Sequence, residues 1–301
     1  MSRIQIAPDG PTLSRIIAGV MSWGEWGKNF TVEQTAKYIN QCVEMGITTF
    51  DHADIYGHYT TEALFGQAIK GKSALRDQIE LISKCGIKLT TPNRPDYHIK
   101  SYDTSKTHII ASVERSLKNL ETDYLDVLLI HRPSPLMDPE EIAEAFSQLR
   151  TSGKVRHFGV SNFTLSQLSM LANYFPLVTN QIEISLLKTD FLIDGTVDQC
   201  LKRRVSPMAY STMAGGQFFA DPGTETVIRI KKVADVLTEK YQTTYESLLT
   251  AWLLQHPAKI LPIMGSTNPE RMRTAIGALA IQMEREDWFL LWEAARGVEV
   301  A

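Results

Sequence analysis

The stretch FDHADIYG, residues 50–57, places Asp51, His52, Asp54 and Tyr56 directly after an apolar run. Two carboxylates, an imidazole and a phenol so close together suit a metal cluster, an acid/base set or a polar loop. A barrel metallohydrolase usually carries a His-x-His pair on an early strand. This chain has none, and Cys42, Cys85 and Cys200 lie far apart with no CxxC, so no metal is expected. Two further groups stand at the ends of apolar runs: Lys84 in LISKCG and His131 in LLIHRP. A lysine set on a buried apolar run needs a counter-charge, which Asp51 can supply. Together the four groups suit protonation of a carbonyl oxygen as hydride reaches its carbon. A tyrosine keeps its proton at neutral pH, and an adjacent ammonium is expected to lower its pKa. Asp51 would hold Lys84 charged, and His131 could hydrogen-bond the substrate oxygen.

Such convergence needs a scaffold. Short apolar runs rich in β-branched residues recur at 15–20, 47–53, 79–85, 124–131, 155–161, 178–184, 205–211 and 260–266, separated by amphipathic stretches. They read as eight strands buried on both faces of a parallel sheet. Helix signals fill the gaps: Thr31 with Gln34 as a capping box stopped by Gly46, and Asp138-Pro139-Glu140-Glu141 as cap, first turn and acidic start, closed by Gly153. The pattern predicts one α/β domain over 1–301, a (β/α)8 TIM barrel. A doubly wound sheet is the alternative, disfavoured because AGVMSWG lacks the GxGxxG spacing. In a barrel, strand ends and the loops after them carry the chemistry, so strands 2, 3 and 4 would bring Asp51, Tyr56, Lys84 and His131 to one rim.

With 301 residues, 44% hydrophobic and 22% charged, the chain can bury a large core without staples. A net charge of −3 is unlike the basic footprint of a nucleic-acid binder. No apolar run approaches the ~20 residues of a membrane span, the start MSRIQIAPDG has no signal-like core, and free thiols suit a reducing compartment. A cytoplasmic protein acting on a small molecule is expected, without nucleic acid, membrane or metal partners.

An anion site is legible at GSTNPERMR, 265–273: Asn268 as cap, Pro269 at the first helical position and Arg271 in the first turn, with Ser266 and Thr267 offering hydroxyl and backbone contacts. The loop MSWGEWGKNF brings Trp23 and Trp26 to the first strand end as candidate apolar walls for a carbonyl substrate, beside Tyr56 and His131. The polar segment 87–103 is expected to border the same pocket.

The set D-x-A-x-x-Y-G, ISK and LLIHRP resembles the aldo-keto reductase superfamily, and the likeness continues through GKVRHFGVSNF, NQIEIS, AYS and GSTNPERM. The resemblance implies a catalytic tetrad of Tyr56, Lys84, Asp51 and His131 and an NADPH cofactor. Ser161, Asn162 and Gln181 would hold the nicotinamide carboxamide, Tyr210, beside Ser211, would stack on its ring, and Ser266 and Arg271 would grip the 2′-phosphate. Gly265 stands where many relatives have a lysine, and Thr274 and Ala275 replace a Glu/Asn pair that often grips adenine, so NADH is a possible substitute. The loop 212–225, with Gly215 and Gly216, would cover the pyrophosphate. Relatives with narrow substrate choice use a long C-terminal tail, which implies an open pocket here. Two other readings stay open: a non-catalytic NADP(H)-binding sensor on the same fold, and a Schiff-base aldolase using Lys84.

Overall fold

The computed structural model describes residues 3–220 and 223–300. Eight parallel strands close into a barrel: β1 (Ile17–Gly19), β2 (Thr49–Asp51), β3 (Glu80–Cys85), β4 (Leu125–Ile130), β5 (Val155–Ser161), β6 (Asn180–Glu183), β7 (Met208–Tyr210) and β8 (Leu261–Met264), with β8 pairing back onto β1. All eight lie within the apolar runs of the sequence. They are short because only the buried part of each run is needed to line the lumen, and β4 is buried at all six positions.

The lumen is filled by Ile17, Ile82, Val127, Leu129, Met208, Leu261 and Ile263. An antiparallel hairpin of Arg3–Gln5 and Thr12–Ser14 adds Ile6 and Leu13 to this cluster, on the side away from the strands' C-terminal ends. A second layer lies between strands and outer helices, so the barrel is packed on both faces, with buried polar residues such as Asn180 and Gln181 of β6 as exceptions to its apolar lining.

Local signals set the helix boundaries. Thr31 and Gln34 form the capping box that starts Val32–Glu44, and Gly46 follows its end at φ 81°. Asp138 caps Pro139–Thr151, and Gly153 follows at φ 73°. Asn268 caps Pro269–Gly277, its side chain accepting from the Glu270 N–H. No helix among the described residues is long and apolar enough to cross a membrane.

Register decides what reaches the rim. Asp51 stands opposite Gly19 and Ile82, Lys84 opposite Leu129, and Gln181 opposite Ser161. His131 follows β4 and continues its ladder, its N–H donating to the Cys85 carbonyl at 2.8 Å.

Candidate active site

Lys84 is fully buried and its ammonium has three acceptors: Asp51 Oδ2 at 2.7 Å, the His52 carbonyl at 2.7 Å and the Tyr56 hydroxyl at 3.1 Å. An ammonium has three N–H donors, so this set satisfies it completely. Burial pushes the Lys84 pKa down, but Asp51 and Tyr56 outweigh it and the net shift is upward. Lys84 is therefore held as a cation and has no lone pair for attack on a carbonyl.

Tyr56 departs from expectation. Burial raises its pKa, Lys84 offsets part of that, and the result is above the ordinary phenol value. Burial is the main cause, and Asp51 adds to it by neutralising Lys84, so the phenol faces an ion pair instead of a bare cation. Tyr56 thus keeps its proton across the physiological range, as an acid that gives it up only when a stronger demand arises.

His131 meets Tyr56 edge to face, ring centroids 6.1 Å apart. Burial, with Lys84, Arg132 and Lys100 adding to it, drives the His131 pKa well below its usual value, so the ring is neutral. Its Nδ1 is buried with no partner. A buried N–H without an acceptor is costly, which favours the proton on Nε2. That nitrogen can then act as a hydrogen-bond donor on the cleft that His131 lines.

These groups open into a cleft of about 900 Å³ at the C-terminal ends of the strands. Along one side runs a hydrogen-bonded chain: Tyr210 Oη donates to Asn162 Oδ1 at 2.7 Å, Asn162 Nδ2 to Ser161 Oγ at 2.8 Å, and Ser161 Oγ to the Gln181 carbonyl at 3.0 Å. Gln181 Nε2 donates to Asp51 Oδ1 at 2.9 Å. Left over are one N–H of Asn162 and the Gln181 side-chain oxygen, a donor and an acceptor that complement a carboxamide. At the cleft's other side stand Ser211, Gly265, Ser266 and Arg271. Space is open within 4 Å of where side chains would start at Gly265, Gly215 and Gly216, and the latter two adopt φ 63° and 91°. Arg271 has no ion-pair partner among the described residues. The arrangement fits a dinucleotide: a carboxamide cradle, an aromatic face at Tyr210, and a cation beside a capped helix N-terminus.

Some expected residues lie elsewhere. Trp23 is 1% exposed and packs in the core against Tyr38 and Phe50, at 5.0 and 6.1 Å between ring centroids, so it does not line the cleft. A tight turn returns its N–H to the Val20 carbonyl and directs the ring inward. Thr267 and Asn268 also lie off the cleft wall, Asn268 being occupied as a cap. Of the loop 212–225, Thr212, Met213, Gly215, Gly216 and Phe219 line the cleft; Asp221 and Pro222 lie outside the described residues. Trp26 is on the wall, 6.0 Å from Tyr56 between ring centroids, as are Ile87, Leu89, Lys100 and Tyr102 of the 87–103 segment.

Sequence reasoning missed three titratable wall residues, His58, Arg132 and Glu246. Glu246 begins the helix Tyr245–Leu254, where an acidic residue reads as an ordinary first-turn charge; no local signal distinguishes it. No group of three or more His, Cys, Asp or Glu side chains among the described residues is placed to hold a metal.

Comparison with known proteins points the same way. An uncharacterised oxidoreductase of Bacillus subtilis, YcsN, is 48% identical over the full length of both chains. A 6-dehydroglucose reductase of Agrobacterium fabrum is 43% identical, again over both full lengths. A thermostable aldo-keto reductase crystallised with the inhibitor epalrestat superposes with a TM-score of 0.81 at 26% identity, covering 98% of this chain and 100% of that one. The Aldo/keto reductase family model matches residues 15–295, and the chain belongs to that family.

Proposed function

We propose that this oxidoreductase reduces aldehydes and ketones to alcohols with NADPH, Tyr56 giving the proton to the carbonyl oxygen. The observation that carries the reading is the Asp51–Lys84–Tyr56 chain, 2.7 and 3.1 Å, at the base of an open cleft. Ser161, Asn162, Gln181 and Tyr210 would hold a reduced nicotinamide, which would supply hydride to the carbonyl carbon. Tyr56, protonated by preference, donates as negative charge grows on the oxygen. Lys84 stabilises the phenolate that remains, Asp51 keeps Lys84 charged, and neutral His131 orients the oxygen through Nε2. Ser266 and Arg271 would hold a 2′-phosphate. The absence of a lysine at Gly265 makes a strict preference over NADH less expected.

An aldolase role for Lys84 is opposed by its three acceptors, which keep it an ammonium. The similarity to a 6-dehydroglucose reductase makes an oxidised sugar a natural substrate to try after simple aldehydes. The deciding experiment follows NADPH consumption with an aromatic aldehyde and an α-dicarbonyl. Wild type should turn over, and Tyr56→Phe should lose on the order of 10²-fold or more in rate. Equal rates would refute Tyr56 as the acid. Cofactor binding without turnover would instead favour a sensor.

A further inference from the structure

The cleft wall at Trp26, beside Tyr56, is held by contacts from Glu25 and His58. Trp26 Nε1 lies 3.2 Å from His58 Nε2, and His58 Nδ1 lies 3.1 Å from Glu25 Oε2. An indole nitrogen only donates. His58 Nε2 must therefore offer its lone pair, which puts the ring proton on Nδ1, where the Glu25 carboxylate accepts it. Glu25 thus selects the one tautomer that can hold Trp26. The held indole stands edge-on to both His58, at 5.4 Å, and Tyr56, at 6.0 Å between ring centroids.

The backbone is bent to make this contact. Gly57, His58 and Tyr59 have φ of 55°, 54° and 72°, a left-handed run that two of the three residues adopt at a cost. Contacts from outside the turn compensate. Asn93 Nδ2 donates to the His58 carbonyl at 2.8 Å, Leu89 N–H donates to Tyr59 Oη at 2.9 Å, and the Arg94 guanidinium lies 4.4 Å from the Tyr59 ring centroid. The 87–102 segment therefore holds the turn that holds the tryptophan.

We propose that Glu25 and His58 are positioning residues that lock the Trp26 indole beside Tyr56, and that this lock sets how well bulky carbonyl compounds are bound. The inference deepens the carbonyl-reductase reading and rests on it for its kinetic part only. With the lock made, the indole is a fixed apolar wall next to the proton donor. Without it, the indole is free to swing and a large aromatic substrate loses that wall, whereas a small aliphatic aldehyde has little contact to lose.

The test joins an indole measurement to kinetics, on the full-length chain. The Trp26 indole N–H, assigned among the five tryptophans by Trp26→Phe, is followed by NMR for its exchange with solvent. His58→Ala should speed that exchange at least tenfold, and His58→Gln, whose carbonyl can accept in place of Nε2, should restore most of the protection. Should His58→Ala fold poorly at its left-handed position, Glu25→Ala in the exposed loop tests the same lock. It removes the acceptor that selects the tautomer and should speed exchange as well. In kinetics, KM for 2-naphthaldehyde should rise about tenfold in His58→Ala, the scale of a lost apolar contact. The change in kcat, and in KM for propanal, should be much smaller. Unchanged indole exchange in both His58→Ala and Glu25→Ala would overturn the lock. Faster exchange with no shift in KM would overturn its role in substrate choice. A wild type that reduces no aldehyde would refute the catalytic reading alone, because the exchange measurement needs no substrate.

Discussion

Asp51 and Gln181 sit on β2 and β6, on opposite sides of the barrel, yet Gln181 Nε2 donates to Asp51 Oδ1 at 2.9 Å. The carboxylate is thus divided: one oxygen faces Gln181, the other Lys84. Gln181 therefore links the proposed nicotinamide cradle to the ion pair beside Tyr56. Gln181→Met should lower kcat by roughly tenfold to a hundredfold through a turned carboxylate. It should also cost about 1–3 kcal/mol of stability from the hydrogen bond lost at a buried carboxylate. Stopped-flow reduction and urea titration measure the two. A change confined to cofactor affinity would mean that Gln181 serves only the carboxamide.

Cofactor choice should turn on two side chains of opposite charge. Ser247 Oγ donates to the Thr274 carbonyl at 2.7 Å, which sets Glu246 beside the helix that carries Arg271. A carboxylate there disfavours a 2′-phosphate that Arg271 favours. Arg271→Ala is expected to weaken NADPH binding about tenfold or more while sparing NADH, tenfold corresponding to ~1.4 kcal/mol. Glu246→Gln is expected to shift the NADPH-to-NADH ratio several-fold the other way. Fluorescence titration with both cofactors checks this, and equal losses for both in Arg271→Ala would place the guanidinium elsewhere.

Acid stability carries a signature of His52. Its ring is fully buried, has no hydrogen-bond partner and stands edge-on to Phe65 at 4.5 Å; burial, with Lys84 adding to it, lowers its pKa to about 3 from the ordinary 6.5. Between those values the unfolded chain binds a proton that the native ring does not, so native stability rises with pH across that window. The His52 contribution is complete above 6.5 and is lost as pH falls toward 3, at up to about 1.4 kcal/mol per pH unit. Subtracting the urea-derived stability of His52→Leu from that of wild type at each pH isolates this slope from the opposite one due to Asp54 and Glu62, whose carboxyls burial raises. A flat difference would mean that the ring is protonated or solvated in the native state.

Gly66→Ala reverses a usual rule. In a helix interior that change ordinarily stabilises by ~1 kcal/mol. Here a methyl would meet the Asn119 carbonyl at 2.0 Å and Leu120 backbone at 2.7 Å, and neither can rotate away. Overpacking against backbone outweighs propensity, and a net loss of roughly 3 kcal/mol is expected by chemical denaturation. A stabilised variant would show that the helices Thr61–Ile69 and Lys106–Asn119 separate readily.

By itself the sequence determined the barrel and where the groups proposed for its chemistry would gather. Eight β-branched runs alternating with amphipathic stretches have few ways to bury both faces, and a barrel gathers the ends of those runs, with titratable groups among them, at one rim. Asp51, Lys84 and His131 are of this kind, and the caps at Thr31, Asp138 and Asn268 are local chemistry that needs no distant partner. Tertiary structure alone decided the rest. Trp23 and Trp26 stand three residues apart in one loop, yet one is core and the other is cleft wall, because a single turn aims them in opposite directions. The Gln181–Asp51 bond joins residues 130 apart. The sign of the Tyr56 shift depends on how fully Asp51 neutralises Lys84 and how much water burial removes. Such outcomes depend on distances across the closed sheet, and spacing along the chain carries no record of them.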